Sequence, residues 1–205
     1  MSPRPYRAGQ RQIAGESTRA RIVAAARDLL SAPDHPADFT VDAVARKAGL
    51  SRMTVYYQLG SRAALLEAIL DDLAMRGGMQ DVPAAMQKQS PDQALADVVA
   101  IFCRFWESER LIIRRLRAMA VLDPELAGVF RDERRRQMLE VIAGRFPHAA
   151  AWSPAMLKEK IDLLQMLTGF ATYDAIAEDR ADGVVPALQR LARLALLDEG
   201  CDVGR

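Results

Sequence analysis

The sequence predicts an all-α protein: an N-terminal three-helix domain of helix-turn-helix type, joined to a C-terminal helical bundle, with about nine helices in all. Three observations predict it. Apolar residues recur at helical spacing along almost the whole chain. The alternating pattern of strands is absent, and the single Asp-Gly pair, Asp182-Gly183, lies between helical stripes instead of between β-branched runs. Most stripes are bracketed by helix start and stop signals, with Ser, Thr or Asp ahead and Gly or Pro behind.

The first stripe, Ile22, Val23, Ala26, Leu29 and Leu30, is capped by Ser17 or Thr18 and stopped by Pro33. Residues 1–15, with Arg4, Arg7 and Arg11 among Pro3, Pro5 and Gly9, read as a flexible basic arm. Thr40 caps a short second helix with Val41, Val44 and Ala45, which Gly49 ends; Ser51 caps a short third helix running to about Gln58. A fourth helix carries Leu65, Leu66, Ile69, Leu70 and Leu73 up to Gly77-Gly78, and Met79 to Gln89 reads as a linker. Ser90-Pro91 opens a fifth with Leu95, Val98, Val99, Phe102, Phe105 and Trp106. A sixth covers Leu111 to Val121. Asp123-Pro124 opens a seventh, which ends near Gly144. Ser153-Pro154 opens an eighth, reaching Phe170 and Tyr173, and a ninth holds Leu188, Leu191, Leu194 and Leu197. The domains implied are an arm at 1–15, a helix-turn-helix domain at 16–62 and a C-terminal domain at 63–205.

Composition excludes several classes. Half of the 205 residues are hydrophobic and 27% are charged, an ordinary globular mix and not a disordered one. The longest strongly apolar segment, Leu163 to Tyr173, contains Gln165 and is far short of the ~20 residues of a membrane span. The first residues lack the apolar core of a secretory signal, so the expected location is the cytoplasm. Cys103 and Cys201 have no metal-ligand or disulfide spacing, and His35 and His148 form no cluster, so neither a metal nor a cofactor is implied. No Ser-His-Asp, Cys-His or paired-carboxylate arrangement stands out, and no enzyme activity is expected. Net charge is +1, but Met1 to Arg62 holds ten Lys or Arg against five Asp or Glu, while the remainder holds eighteen against twenty-two. A basic front suits a polyanion.

The informative stretch runs from Thr40 to Tyr57. Ala45 is small where two crossing helices approach, Gly49 can take the left-handed conformation, and Val44, Leu50 and Val55 supply the shared apolar contact. Arg52, Met53, Thr54, Tyr56, Tyr57 and Gln58 are then left largely outside the core. Two adjacent tyrosines suit sugar and phosphate contacts, and the first residues of a recognition helix reach base edges in the major groove of double-stranded DNA.

These residues, with the AxxAGLSxxTVYY pattern and the following Ser61-Arg62-Ala63-Ala64-Leu65-Leu66, resemble the DNA-binding domain of the TetR family of transcriptional regulators over about Thr18 to Leu73. The resemblance implies that Thr40 and Thr54 donate to phosphates, that Arg52 and Met53 read bases, and that Tyr56 and Tyr57 contact backbone and base methyl groups. It implies that Arg62 stands where the family usually has a Lys near a phosphate. Gln58-Leu59-Gly60 departs from the common His-Phe-Pro, keeping a polar donor, and Met53 departs from a frequent Gly or Ala, which alters base preference.

For the C-terminal part, the resemblance implies a homodimer through the eighth and ninth helices and a small-molecule effector pocket. Phe102, Phe105, Trp106, Met119, Phe130, Met138, Met166, Phe170 and Tyr173 are its candidate lining, or plain core. With few buried charges among them, an apolar or aromatic effector is expected. The run Arg131 with Arg134-Arg135-Arg136 reads as a solvated face balanced by Asp132 and Glu133, and Cys103 as an inert buried thiol. The function expected is a sequence-specific DNA-binding regulator, a homodimeric repressor released from a palindromic operator by its effector; a DNA-binding regulator with no effector is the alternative.

Overall fold

The computed structural model describes residues 5–32, 39–130, 133–178 and 183–197, without the side chains of residues 5–12 and Val129. Among the described residues every regular element is helical. In chain order they are α1 (Pro5–Ser31), α2 (Val41–Ala48), α3 (Arg52–Leu59), α4 (Arg62–Arg76), α5 (Val82–Met86) and α6 (Pro91–Ser108). There follow α7 (Arg110–Ala120), α8 (Pro124–Val129), α9 (Glu133–Ala143), α10 (Pro154–Leu167), α11 (Phe170–Ala177) and α12 (Val184–Leu197). The chain divides into two compact units, Met1–Leu73 with Leu111–Arg131, and Ala74–Arg110 with Asp132–Arg205.

The first unit is built on α1, which packs on α2 and α3; Ile22, Ala26 and Leu30 of α1, Val44 of α2 and Val55 of α3 are all buried. Leu65, Leu66, Ile69 and Leu73 of α4, Ile113 and Leu116 of α7, and Leu126 of α8 are buried as well. Each such side chain contributes about 1.5–3 kcal/mol of transfer free energy. The unit continues past residue 62 to Leu73 and takes in a distant segment, so it is larger than the domain expected from the motif. The arm expected at residues 1–15 is helical from Pro5, ten residues before Gly15. Proline is tolerated at a first helical position, and Ala, Arg and Gln are good helix formers, which offsets the cost of Gly9 and Gly15. Arg4 lies outside the described residues.

Two arginines tie the distant segment to the motif. Arg115 Nη1 of α7 donates to the carbonyls of Leu30 and Ala32, at 2.5 and 2.6 Å, and so satisfies acceptors left open at the end of α1. Arg62, at the start of α4, forks onto two carboxylates of α8: Nη2 to Asp123 Oδ2 at 2.5 Å and Nη1 to Glu125 Oε2 at 2.7 Å. Asp123 has a second task, because its Oδ1 accepts from the backbone N–H groups of Glu125 and Leu126 and caps α8. The guanidinium of Arg62, and then the backbone donors, hold the Asp123 carboxyl below its usual range.

In the second unit, α6 packs on α12, α5 and α9, and α10 on α9 and α12. Its centre is Leu95, Val98 and Val99, with Leu139, Ile142, Ile161, Leu164, Leu188 and Leu196. The expected linker at Met79–Gln89 is instead a 3-10 turn, Met79–Asp81, followed by α5. Arginines from elsewhere fix it. Arg104 donates to Asp81 Oδ2 at 2.6 Å, while Arg145 donates to the carbonyl of Met86 at 2.7 Å and to that of Lys88. The seventh predicted helix divides into α8 and α9, with residues 131–132 between them outside the described residues. The eighth divides at Thr168-Gly169 into α10 and α11. Thr168 Oγ1 bonds back to the Leu164 carbonyl at 2.7 Å, and Gly169 is extended, with φ −78° and ψ 153°. The carbonyl of Thr168 is taken by the Trp106 indole N–H at 3.0 Å, so the break leaves this buried acceptor satisfied.

Because the Asp123 pKa is depressed in the folded state, its contribution to stability is complete above about pH 4, the unfolded carboxylate value, and is lost as pH falls through the lower folded value. We expect Asp123→Asn, which keeps the helix cap but not the charge, to lower the melting temperature at pH 7. The gap to the native protein should narrow steadily in melts taken toward about pH 2–3. A gap that stays constant with pH would contradict this account of the clasp.

Candidate nucleic-acid interface

The surface built by α2 and α3 follows from three local devices. Thr40 is the N-cap of α2, its Oγ1 accepting from the Ala43 N–H at 3.1 Å. Gly49 ends α2 in the left-handed region, with φ 65° and ψ 37°. Its N–H donates to the Arg46 carbonyl at 3.1 Å and that of Leu50 to the Ala45 carbonyl at 2.9 Å, the double bond of a Schellman ending. Ser51 then caps α3: its Oγ accepts from the Thr54 N–H at 3.0 Å and lies 2.8 Å from Thr54 Oγ1. Gly60 closes α3 at φ 85°, with its N–H on the Tyr56 carbonyl.

Only Val55 and Leu59 of α3 are buried. Tyr57 is 86% exposed and Met53 75% exposed, large side chains that folding alone gives no reason to leave in water. Thr54, Tyr56 and Gln58 are half-buried, and Thr40 is exposed. Arg52 is exposed but paired. Its Nη1 lies 3.1 Å from Asp42 Oδ2 on α2, its Nη2 3.5 Å from Tyr56 Oη, and its guanidinium carbon 5.5 Å from the centre of the Tyr56 ring. The expected set of Thr40, Arg52, Met53, Thr54, Tyr56, Tyr57 and Gln58 therefore lies on two adjoining short helices. Arg62 is engaged differently, by Asp123 and Glu125. A phosphate contact would require it to leave or share those carboxylates. Asp42 was not singled out by the sequence reading, and its sign, opposite to that of a DNA-facing surface, gave no signal for it.

The candidate effector residues divide. Phe102, Phe105, Trp106, Phe170 and Tyr173 are buried together in the second unit. Ring centroids lie 4.5 Å apart for Phe105–Trp106, 5.7 Å for Trp106–Phe170 and 5.9 Å for Phe102–Trp106. Tyr173 Oη donates to Glu107 Oε2 at 2.5 Å; burial, and then this bond to a carboxylate, push the phenol's pKa up. Met119 and Phe130 belong to the first unit, where Arg117 lies over the Phe130 ring, and Met166 is 56% exposed on α10. Met138 is buried on α9.

Nor is the cluster free of charge, as the sequence reading expected. Arg135 is buried, with its guanidinium carbon 5.7 Å from the centre of the Phe102 ring. Its run is thus not simply a solvated face: the aromatic surface of Phe102 accepts the planar cation. Arg136 of the same run pairs with Asp162 at 2.7 Å and Glu140 at 3.2 Å, and Arg131 and Asp132 lie outside the described residues. Cys103 is a buried thiol, its pKa pushed up to about 11 by desolvation, and so protonated and poorly nucleophilic at neutral pH.

On α10 and α12 the second unit carries an apolar groove of about 530 Å³, lined by Leu163, Met166, Leu167, Leu191, Leu194, Ala195 and Leu197. Among the described residues, no helix is long and apolar enough to cross a membrane.

Residues 22–69 match the family model of bacterial regulatory proteins of the tetR family. That span begins in α1 and ends in α4, and so contains the whole of α2 and α3. No curated protein sequence matches the chain. Among solved structures, the chain is similar to a TetR transcription regulator from Haloarcula marismortui ATCC 43049, with a TM-score of 0.65 and 18% identity over 88% of this chain and 97% of that one. At that identity the likeness concerns the fold, and the family match concerns residues 22–69. The helix-turn-helix of α2 and α3 and the match across it identify residues 22–69 as a DNA-binding domain of the tetR type, on a chain that shares the fold of a solved TetR regulator.

Proposed function

We propose that this protein is a homodimeric repressor that binds a palindromic operator and is released from it by a small-molecule effector. The observation that carries the DNA-reading part is the exposure of α3. It buries only Val55 and Leu59 and leaves Arg52, Met53 and Tyr57 to solvent. In this reading α3 enters the major groove. Arg52 and Met53, in its first turn, address base edges; Thr40, Thr54, Tyr56, Tyr57 and Gln58 address the sugar-phosphate backbone and base methyl groups. Arg62 enters as the residue that anchors α4 to α8. Such a regulator works where the chromosome is, in the cytoplasm.

The second copy of the chain is proposed for the groove on α10 and α12. Leu163, Met166, Leu191, Leu194 and Leu197 are all exposed there at 38–56%, a contiguous apolar face of the kind that marks a protein interface. A two-fold dimer would set two copies of α3 about 34–36 Å apart, one turn of B-DNA. The effector is proposed for the aromatic cluster of α6 and α11. The buried cation of Arg135 beside Phe102 broadens the expected ligand from a purely apolar molecule to one that also carries π-electron density or negative charge. A second reading, a regulator with no effector, is favoured by one observation: these rings already pack on one another, and Trp106 already has its hydrogen bond.

Selection from random duplex DNA at a fixed salt concentration tests the reading. We expect the native protein to enrich one palindrome. Tyr57→Ala and Arg52→Ala should each weaken binding to it roughly tenfold, the scale of a lost specific contact. Weak binding to all sequences with steep salt dependence would leave only nonspecific electrostatics. For the dimer, we expect Leu194→Asp to sediment as a monomer and to lose operator affinity with its helix content intact. A variant that remains dimeric would place the interface elsewhere.

A further inference from the structure

We propose that Asp42 is a positioning residue for base recognition: with Tyr56, it holds the Arg52 guanidinium in the orientation that reads one guanine in each half-site. The inference rests on the reading of α3 as the recognition helix.

Arg52 is the first residue of α3 and Asp42 the second of α2, so the turn at Gly49 and Ser51 is what brings them together. The carboxylate lies 3.1 Å from Nη1, the Tyr56 hydroxyl 3.5 Å from Nη2, and the Tyr56 ring lies under the guanidinium. Both charged side chains are more than half exposed, at 58% and 53%. A pair so exposed adds little to folding stability. What it does is restrict a long side chain that would otherwise sample many rotamers, before any ligand arrives. The guanidinium has five N–H donors. With one given to Asp42 and one to Tyr56, each terminal nitrogen keeps a donor. Two parallel donors match O6 and N7 of guanine, the base whose major-groove edge offers two acceptors.

The carboxylate itself is the unexpected part. Beside a phosphate backbone a lone Asp is repelled, whereas an Asp neutralised by Arg52 can stay. In the groove the pair is shielded from water, and its restraint on Arg52 tightens. Asp42 also lies in the first turn of α2, where any acidic side chain suits the helix dipole. That role predicts no effect on base choice, and this difference makes the two separable.

The test is the same selection with the full chain, comparing native protein, Asp42→Ala, Arg52→Ala and the double variant at one salt concentration. We expect the native palindrome to carry one guanine per half-site whose preference Arg52→Ala abolishes. Asp42→Ala should relax that preference roughly tenfold and leave the other positions unchanged, and the double variant should match Arg52→Ala alone. Asp42→Asn, which keeps a polar group in the first turn of α2, serves in the same way if the alanine variant folds poorly. The inference is overturned if the Asp42 variants keep the native preference at that position. It is equally overturned if they lose preference evenly at every position, or if the base lost in Arg52→Ala is not guanine. A native protein that enriches no palindrome overturns the recognition reading itself, an outcome distinct from a palindrome that Asp42 does not influence.

Discussion

Gly49 turns the chain in a conformation that L side chains rarely adopt, and the placement of α3 depends on that turn. The left-handed backbone lets the N–H groups of Gly49 and Leu50 close the end of α2. Ser51 begins the next helix immediately. With so short a connection, α2 and α3 have little freedom relative to each other. The side chains that come together across them, Asp42 with Arg52 above all, do so through the turn and not through a buried core. A side chain at Gly49 would meet no steric obstacle in space; the cost is in the backbone angle alone.

Arginine does much of the remaining work, and it does so through its fork of donors. Arg115 closes the end of α1, Arg145 holds the carbonyls after α5, and Arg104 reaches the turn before α5. Arg62 holds the start of α8, and Arg110 pairs with Asp174 at 2.7 Å. A net charge of +1 conceals this, because many of the cations are spent inside the fold on carbonyls and carboxylates. Arg52 differs from these in lying on the exposed face of α3, beside Tyr56 and Tyr57; its carboxylate partner is exposed too.

What the sequence disclosed and what it concealed divide by distance along the chain. The helix-turn-helix was legible because its determinants are local: Thr40, Gly49 and Ser51 each act within a few residues, and exposure of Tyr57 follows from burial of Val55. The break at Thr168-Gly169 was not, because Leu164, Leu167 and Phe170 continue an apolar stripe across it. The hydrogen bond that accompanies it comes from Trp106, on another helix. The stretch at Met79–Gln89 looked like a linker because Arg104 and Arg145, which hold it, are remote. Arg62 looked free for phosphate because Asp123 and Glu125 lie 61 and 63 residues later. Burial of Arg135 was hidden by its charged neighbours, since a run of arginines does not reveal which one meets an aromatic ring. The exposure pattern of α3 was therefore readable nearly residue by residue, while the aromatic set mixed buried, exposed and differently placed side chains.

The first compact unit is not a contiguous stretch of chain. It uses the beginning of the sequence and then a second piece, from Leu111 to Arg131, that supplies Arg115, Asp123 and Glu125. A DNA-reading module of this protein is thus not a cassette that can be cut at the end of α4 and exchanged with another regulator's. A chimera that swaps only the N-terminal piece would carry α2 and α3 but inherit foreign residues where Arg115 and the two carboxylates should stand. Recombination among regulators of this architecture would be constrained to move both segments together, or to keep these few contacts matched when it moves one.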